Sequence, residues 1–318
     1  METAAIGIDL GATKIAAALV AASGQVLVSR TIPTQPSEGQ QAVIGRLAGL
    51  VNDFSLIARS MNLELLGVGI GTPGLVDPQA GIVHNAVNLG WQDVPLKDEL
   101  KRSLDLPLPV WVQKDGNASA IGEFVFGAAQ GCPDFLYLSI GTGLGGGLFA
   151  AGQLISGAFG NATELGHISL DPDGRSCVCG LRGCAETVLS GQGLLALYRK
   201  VAMGEKVPAI QDIENATPAG IIQAALEGQA SALACMAEMG RQLGIVIAFC
   251  AAVTNPALVV IGGGLGLAIY DLLVPRARLE IERRVLKETH AGLRIAPSLQ
   301  QSSALGAASL AWYFTKRR

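Results

Sequence analysis

The residues with the most chemistry in this 318-residue chain are gathered in one stretch, 161–191, NATELGHISLDPDGRSCVCGLRGCAETVLSG. His167, Cys177, Cys179 and Cys184 follow the layout His-x9-Cys-x-Cys-x4-Cys. Three thiolates and one imidazole are the ligand set of a closed tetrahedral Zn²⁺ site. Cys177 and Cys179 supply two corners from one bend, and Gly180 and Gly183 let the backbone return Cys184 to the same ion. With all four corners filled by protein no water is left for the metal to activate, so the expected role is structural, the pinning of a loop. The competing reading is three buried thiols and a packed histidine. A Cys177–Cys179 disulfide fits less well, because a single intervening residue strains the bridge. Glu164 and Glu186 flank the knot, and two carboxylates beside a pinned loop suit a polyhydroxy substrate.

Three glycine turns and one carboxylate follow in importance. Asp9-Leu10-Gly11-Ala12-Thr13-Lys14 offers close backbone approach at Gly11, a hydroxyl at Thr13, a cation at Lys14 and, at Asp9, a carboxylate for hydrated Mg²⁺. Such a turn can cradle phosphates, though it also suits an ordinary hairpin. Gly141 to Gly146 matches G-x-G-x-x-G, yet the dinucleotide fingerprint needs a helix after it. Here the chain continues as strand, so Thr142 and Gly143 read as a second phosphate hairpin. Gly262, Gly263 and Gly264 follow an apolar strand and would let a nucleotide approach the backbone, or simply turn the chain into a helix. Asp115 lies between a strand end and a helix start, where a carboxylate is either an N-cap or a general base. No G-x-x-x-x-G-K-[ST] occurs, which excludes the P-loop class.

The elements that must position these groups read as alternating strands and helices. A β-meander opens the chain: Ala4 to Leu10, Ile15 to Val20 and Gln25 to Ile32. Ser37-x-x-Gln40 suggests a capping box ahead of a helix with Val43, Ile44, Leu47, Leu50, Val51, Phe54 and Ile57 at helical spacing. Leu65 to Ile70 is a strand running into Gly71-Thr72-Pro73-Gly74, His84 to Trp91 a polar loop, Val110 to Gln113 a strand and 118–129 a helix. Phe135 to Ile140 and the run after Gly146 form a second meander, so the strand–glycine–strand pattern recurs. Beyond the cysteines the chain reads as helical to Ala252. A strand at Ala257 to Ile261, a helix over 267–287, a strand at Leu293 to Ala296 and a closing helix from Ser303 complete it. The boundary between two related α/β halves falls near Lys114.

Composition narrows the function classes. Half of the residues are hydrophobic and 15% charged, enough for a sizeable core. A net charge of −3 gives no basic footprint for nucleic acid. The longest apolar run, Leu243 to Val253, is too short to span a bilayer, and no secretory signal is visible at the start. Cys132, Cys235 and Cys250 read as lone thiols, so a reducing, cytoplasmic compartment is expected.

Taken together, these segments resemble the ROK family of sugar kinases and related repressors, and its glucokinase-type members most. The resemblance runs nearly end to end. Its most specific part is Glu164-x-Gly166-His167 followed by Cys177-x-Cys179-Gly180-x-x-Gly183-Cys184-x-Glu186. It implies an actin-like ATPase (ribonuclease H-like) fold, an α/β architecture of two domains around a cleft. The smaller would be 1–113, completed by a C-terminal helix at 303–318, and the larger 114–302. It implies ATP-dependent phosphorylation of a hexose at its primary hydroxyl, glucose to glucose 6-phosphate, in carbohydrate metabolism. N-acetylmannosamine, fructose, mannose and allose are alternative substrates. Asp115 would be the base, and Asp9, Gly11, Thr13 and Lys14 would serve Mg²⁺ and phosphate. Thr142 and Gly143 would line the second phosphate turn, and Gly262, Gly263 and Gly264 the adenosine side. Pro73, Gly74, Asn88, Glu164, His167 and Glu186 would contact sugar, with His167 also a zinc ligand. The resemblance further implies a homodimer or larger homo-oligomer, and cleft closure on sugar binding. Repressors of the family carry a helix-turn-helix ahead of the first phosphate turn, for which no room is expected before Asp9.

One position departs from the pattern. The family has Asn-Asp at the catalytic strand end, and here the pair is Lys114-Asp115. An ammonium has donors only, where an amide has both. Lys114 is expected either to point into solvent or to alter sugar preference, and to lower the pKa of Asp115 if the two side chains meet.

Overall fold

The computed structural model describes residues 2–202, 215–300 and 302–315. Strands β1 (Glu2–Leu10), β2 (Lys14–Ala21) and β3 (Val26–Pro33) form the opening antiparallel meander. Helix α1 (Gln40–Ser60) packs beneath them through Val43, Ile44, Leu47, Leu50, Val51 and Phe54, while Ile57 is half-buried. Next comes β4 (Leu63–Thr72), parallel to β1. A small antiparallel sheet of β5 (Leu75–Asp77), β6 (Ile82–Ala86) and β7 (Trp91–Val94) follows. Helix α2 (Leu96–Arg102) leads to β8 (Val110–Lys114), parallel to β4. The first large sheet thus has the order β3-β2-β1-β4-β8.

Helix α3 (Asp115–Phe126) carries the chain into a second sheet, β9 (Phe135–Ile140), β10 (Leu144–Ala150) and β11 (Gln153–Leu154). After the cysteine segment come α4 (Gly191–Ala202), α5 (Pro218–Leu226) and α6 (Ala230–Thr254), then β12 (Leu258–Gly262). Helices α7 (Gly264–Ala268), α8 (Tyr270–Arg284) and α9 (Lys287–His290) precede β13 (Arg294–Pro297) and α10 (Ser303–Thr315). The second sheet has the order β11-β10-β9-β12-β13. Each sheet is therefore an antiparallel three-strand meander extended by two parallel strands, the same order twice, as the recurring strand–glycine–strand pattern implied.

Helices α3 and α10 tie the halves together. Phe124, Phe135, Phe149 and Tyr313 stack or meet edge-on in one cluster, and the Tyr313 hydroxyl accepts the Leu154 N–H at 2.9 Å. Such aromatic pairs add about 0.5–1.5 kcal/mol each beyond area burial. Helix α10 lies so close on the first sheet that a Cβ at Gly7 or Gly69 would sit 1.9 Å from a backbone oxygen of Ala304 or Ala307.

Several local expectations are corrected. The residue before α1 is Gly39, with no side-chain cap, so Ser37 and Gln40 form no capping box. Residues 84–91 are part strand and part turn: β6 takes in His84 to Ala86 and β7 begins at Trp91, with a 3₁₀ turn at Val87–Leu89 between them, and these strands are too short for a period-2 signal to stand out. Helix α3 begins at Asp115 and ends at Phe126, earlier at both ends than read. The helix expected over 267–287 is broken at Ile269 and Val285. The break is invisible in the pattern because Leu265, Ile269, Leu273, Ala277 and Ile281 stay buried at a spacing of four straight through it. Helix α6 is longer than the apolar run suggested and has the length and hydropathy of a membrane span, but 61% of its apolar window is buried against the protein. Part of the helical stretch read up to Ala252, residues 203–214, and the end of the closing helix, 316–318, lie outside the described residues.

Candidate active site

The two glycine turns occupy equivalent places, each between the first two strands of its sheet. In the first, the Gly11 N–H closes on the Lys14 carbonyl at 3.0 Å. Buried Thr34, at the end of β3, braces it twice. Its hydroxyl donates to the Gly11 carbonyl at 2.7 Å and its N–H to the Thr13 carbonyl at 3.0 Å. Thr13 and Lys14 stand exposed above the turn. Asp9, half-buried below it, accepts a hydrogen bond from Ser303 at the start of α10. Burial raises the Asp9 carboxyl above its usual range, against the opposing pull of that hydroxyl and of Lys14.

In the second turn the Gly141 N–H closes on the Gly143 carbonyl at 2.9 Å, leaving Thr142 exposed. The Gly191 N–H donates to the Gly141 carbonyl at 2.9 Å, and the Leu144 N–H donates to Glu186 Oε2 at 2.9 Å. The third turn lies against it. Gly263 has φ +78, and a Cβ there would come within 2.3 Å of the Ile140 carbonyl oxygen. Gly262 ends β12 and Gly264 opens α7. The glycines expected around phosphate and adenosine are thus neighbours.

Asp115 is the first residue of α3 and not its cap, which is Lys114. Its Oδ1 accepts the Gly116 N–H at 2.7 Å. Asp115 keeps an exposed surface, although protein packs closely around its carboxyl. Desolvation dominates its titration and raises it to about 6. The Gly116 N–H and Lys114 pull it down, and the charges of Asp9 and Glu164 push it up. Lys114 thus lowers the Asp115 pKa as expected, but desolvation and two neighbouring carboxylates outweigh it and the net shift is upward.

Lys114 does not point into solvent. It is buried, and its Nζ donates to Glu164 Oε1 at 2.7 Å and to the Ala162 carbonyl at 3.4 Å. Glu164 Oε2 lies 4.0 Å from His167 Nε2. One chain of groups therefore runs from strand β8 into the cysteine segment.

That segment forms a compact knot. Short 3₁₀ turns at Leu165–His167 and Ala185–Thr187 are joined by backbone pairing, with Ala185 N–H on the Ile168 carbonyl at 2.9 Å and Leu170 N–H on the Gly183 carbonyl at 2.8 Å. Between them, donor atoms of His167, Cys177, Cys179 and Cys184 lie within 4.8 Å of one another. The Cys179 and Cys184 sulfurs are 3.7 Å apart, and Cys177 Sγ is 3.8 Å from His167 Nδ1. Zn–S bonds of about 2.3 Å imply tetrahedral edges of about 3.8 Å, so the donor set fits a zinc ion. Burial and the adjoining Cys179 and Cys177 thiols push Cys184 up to about 12. A divalent cation between them would let these thiols ionise together at neutral pH.

The remaining candidates are more peripheral. Pro73 and Gly74 follow β4. Gly74 has φ +95, and a Cβ there would meet the Asn85 carbonyl oxygen at 2.0 Å, which seats the small sheet on this loop. Asn88 is exposed in the turn between β6 and β7, and no hydrogen bond joins it to the other candidates. Thr34 carried no sequence signal as a brace. Ser303 was legible only as a helix start, because its approach to Asp9 spans nearly the whole chain.

Two five-stranded sheets of the same order, each with a glycine turn between its first two strands, define an actin-like α/β architecture. The chain matches the ROK family over residues 5–313 and belongs to it. It is 34% identical over 275 residues to a glucokinase of Halalkalibacterium halodurans, covering 85% of this chain and 83% of that one. A ROK family glucokinase from Streptomyces griseus, solved with glucose and AMPPNP, superposes with a TM-score of 0.81 at 31% identity, covering 97% and 99% of the two chains. A ROK family transcriptional regulator homologous to E. coli MLC superposes with a TM-score of 0.87 at 29% identity, covering 98% of this chain and 78% of that one.

Proposed function

We propose that this protein is an ATP-dependent hexose kinase of glucokinase type. The observation that carries the reading is Asp115: a carboxyl with its pKa raised to about 6, within electrostatic reach of the Asp9 and Glu164 charges. A base so tuned is ionised at neutral pH yet basic enough to take a hydroxyl proton. Asp115 accepts the proton of the sugar's primary hydroxyl as that oxygen attacks the γ-phosphorus of ATP. The bond from γ-phosphorus to the ADP oxygen breaks, giving the sugar 6-phosphate and ADP. The exposed Thr13 and Lys14 and the backbone N–H groups of both glycine turns hold phosphate oxygens. Gly262, Gly263 and Gly264 border the adenosine. Asp9 offers an oxygen donor suited to hydrated Mg²⁺, which when bound neutralises phosphate charge. Glu164 and His167, with the loop at Pro73 and Gly74, face the sugar. His167, Cys177, Cys179 and Cys184 would hold a structural zinc that fixes those groups.

Lys114 sets the sugar preference in this reading. Its ammonium occupies one oxygen of Glu164, so a hydroxyl reaching this corner meets a donor where an amide would offer both donor and acceptor. Residues 1–113 with α10 would move against 114–302 as the cleft closes and excludes water from the γ-phosphate. Exposed Phe249 and Val253 on α6 and Leu286 after α8 give a face on which two copies would pair, testable by light scattering.

The test is ADP release coupled to sugar. Mg-ATP is supplied with glucose, mannose, fructose, allose or N-acetylmannosamine in turn, with Asp115→Asn as control. Turnover with one sugar, lost in the control, is expected. ADP release that ignores sugar, or none from zinc-loaded protein, refutes the kinase reading. The second outcome would favour a sugar-binding regulator, the reading to which the likeness to the MLC homologue points.

A further inference from the structure

The carboxylate that sequence reasoning placed on the sugar is also the strut of the second phosphate turn. Glu186 sits in the 3₁₀ turn directly after Cys184. Its Oε2 accepts the N–H of Leu144, the first residue of β10. Where residue 143 passes this oxygen there is no room for a side chain: a Cβ at Gly143 would lie 2.4 Å from Glu186 Oε2 and 3.3 Å from its Cδ. The turn is held at its other end by the Gly191 N–H on the Gly141 carbonyl. A Cβ at Gly166, beside His167, would meet the Leu144 carbonyl oxygen at 2.4 Å. The hairpin is thus gripped from both sides by the segment that carries the sugar-facing groups. Glu186 Oε1 has no hydrogen-bond partner among the described residues.

We propose that Glu186 is a positioning residue for the nucleotide, coupling the two substrates: Oε2 sets the 141–143 turn, and a sugar hydroxyl donating to Oε1 stiffens that carboxylate and tightens nucleotide binding. The proposal rests on the kinase reading. Its physical content is that one carboxylate serves two acceptor sites. A hydroxyl on Oε1 restricts the carboxylate to the rotamer in which Oε2 meets Leu144. The turn is then already ordered when the triphosphate arrives, and ordering entropy is not lost a second time. By linkage the nucleotide must tighten the sugar by the same factor.

Two variants separate the two oxygens. Glu186→Gln keeps an acceptor for Leu144, since its amide oxygen must face that N–H. The remaining NH₂ is then a donor and cannot accept the sugar hydroxyl. Glu186→Ala removes both. Calorimetry with Mg-AMPPNP, in the absence and presence of saturating glucose or whichever hexose the panel accepts, reads the outcome. In the parent, nucleotide Kd should fall several-fold when sugar is present. In Glu186→Gln the Kd without sugar should stay near that of the parent while the sugar-dependent tightening disappears. In Glu186→Ala nucleotide Kd should rise about 10-fold or more with or without sugar, the expected effect of losing one charge-assisted hydrogen bond. Gly143→Ala, which drives the carboxylate away without deleting it, should resemble Glu186→Ala. Unchanged nucleotide Kd in Glu186→Ala, with only sugar affinity weakened, overturns the proposal and leaves the kinase reading standing. A parent that turns over sugar but shows no coupling also overturns it alone. A parent that neither binds the nucleotide nor turns over sugar overturns both.

Discussion

The two glycine turns stand at the same point of the same sheet order, yet they are held in different ways. The Gly11 turn is braced from within its own half, by Thr34 at the end of the adjoining strand, with Ser303 from α10 fixing Asp9 below it. The Gly141 turn is braced from outside its sheet, by Glu186 and Gly191, which belong to the segment leaving the cysteine knot. The repeated fold supplies two phosphate-sized turns. Only the second is mechanically linked to the groups that would hold the sugar. The difference teaches that a repeated turn can be fixed by its own sheet in one place and by a neighbouring segment in the other.

The largest effect should come from Asp115, which belongs to neither turn and lies within electrostatic reach of Asp9 and Glu164. Asp115→Asn is expected to lower kcat about 10²- to 10⁴-fold while calorimetry still detects sugar and Mg-AMPPNP. Loss of nucleotide binding in this variant would mean that Asp115 organises the turns and is not simply a base. Metal removal comes next and should divide the turns. Stripping with a strong chelator, checked by metal analysis, is expected to lower the melting temperature and abolish sugar-dependent turnover, both restored by Zn²⁺. Full activity after stripping would show that backbone pairing alone holds the knot and, through it, the second turn.

The pH profile gives a smaller and more diagnostic effect. Asp115 must be ionised to act, and its pKa is raised to about 6. kcat/KM should therefore fall about tenfold per pH unit below 6 and level off above it. Lys114→Asn removes the cation that lowers this pKa and frees the Glu164 charge that raises it, so the acid limb should move to higher pH. An unmoved limb would show that Lys114 does not act on the base. The same variant should change relative kcat/KM across the hexose panel. The smallest effect is expected from Thr34→Val. It deletes one hydrogen bond to the Gly11 carbonyl, worth about 1 kcal/mol, and should raise nucleotide KM a few-fold with no change in the sugar coupling that Glu186 is proposed to provide. A loss of that coupling would erase the distinction between the turns.

Much of this arrangement was legible because it rests on local patterns. The spacing of His167, Cys177, Cys179 and Cys184 announces a tetrahedral donor set, and the sulfur and nitrogen separations fit one. The strand–glycine–strand recurrence announced a duplicated sheet order. Helix α1 was readable from its apolar spacing, since burial of one face leaves a period of 3.6 in the chain. The strands of the small sheet were not readable, being too short to show alternation, and the break at Ile269 was hidden by an unbroken spacing of buried residues.

The sequence by itself determined which chemical groups this protein has and the local elements that carry them, because ligand type, turn glycines and apolar period are properties of neighbouring residues. It also placed Lys114 where the resemblance leads one to expect an asparagine. Only the tertiary structure decided what that lysine does. Its ammonium meets Glu164 across fifty positions of chain, and the Asp115 pKa is raised because desolvation and the charges of Asp9 and Glu164 outweigh the adjacent cation. Desolvation and Coulomb interaction depend on distance in space, and nothing in the order of residues along the chain specifies that distance until the two halves have packed.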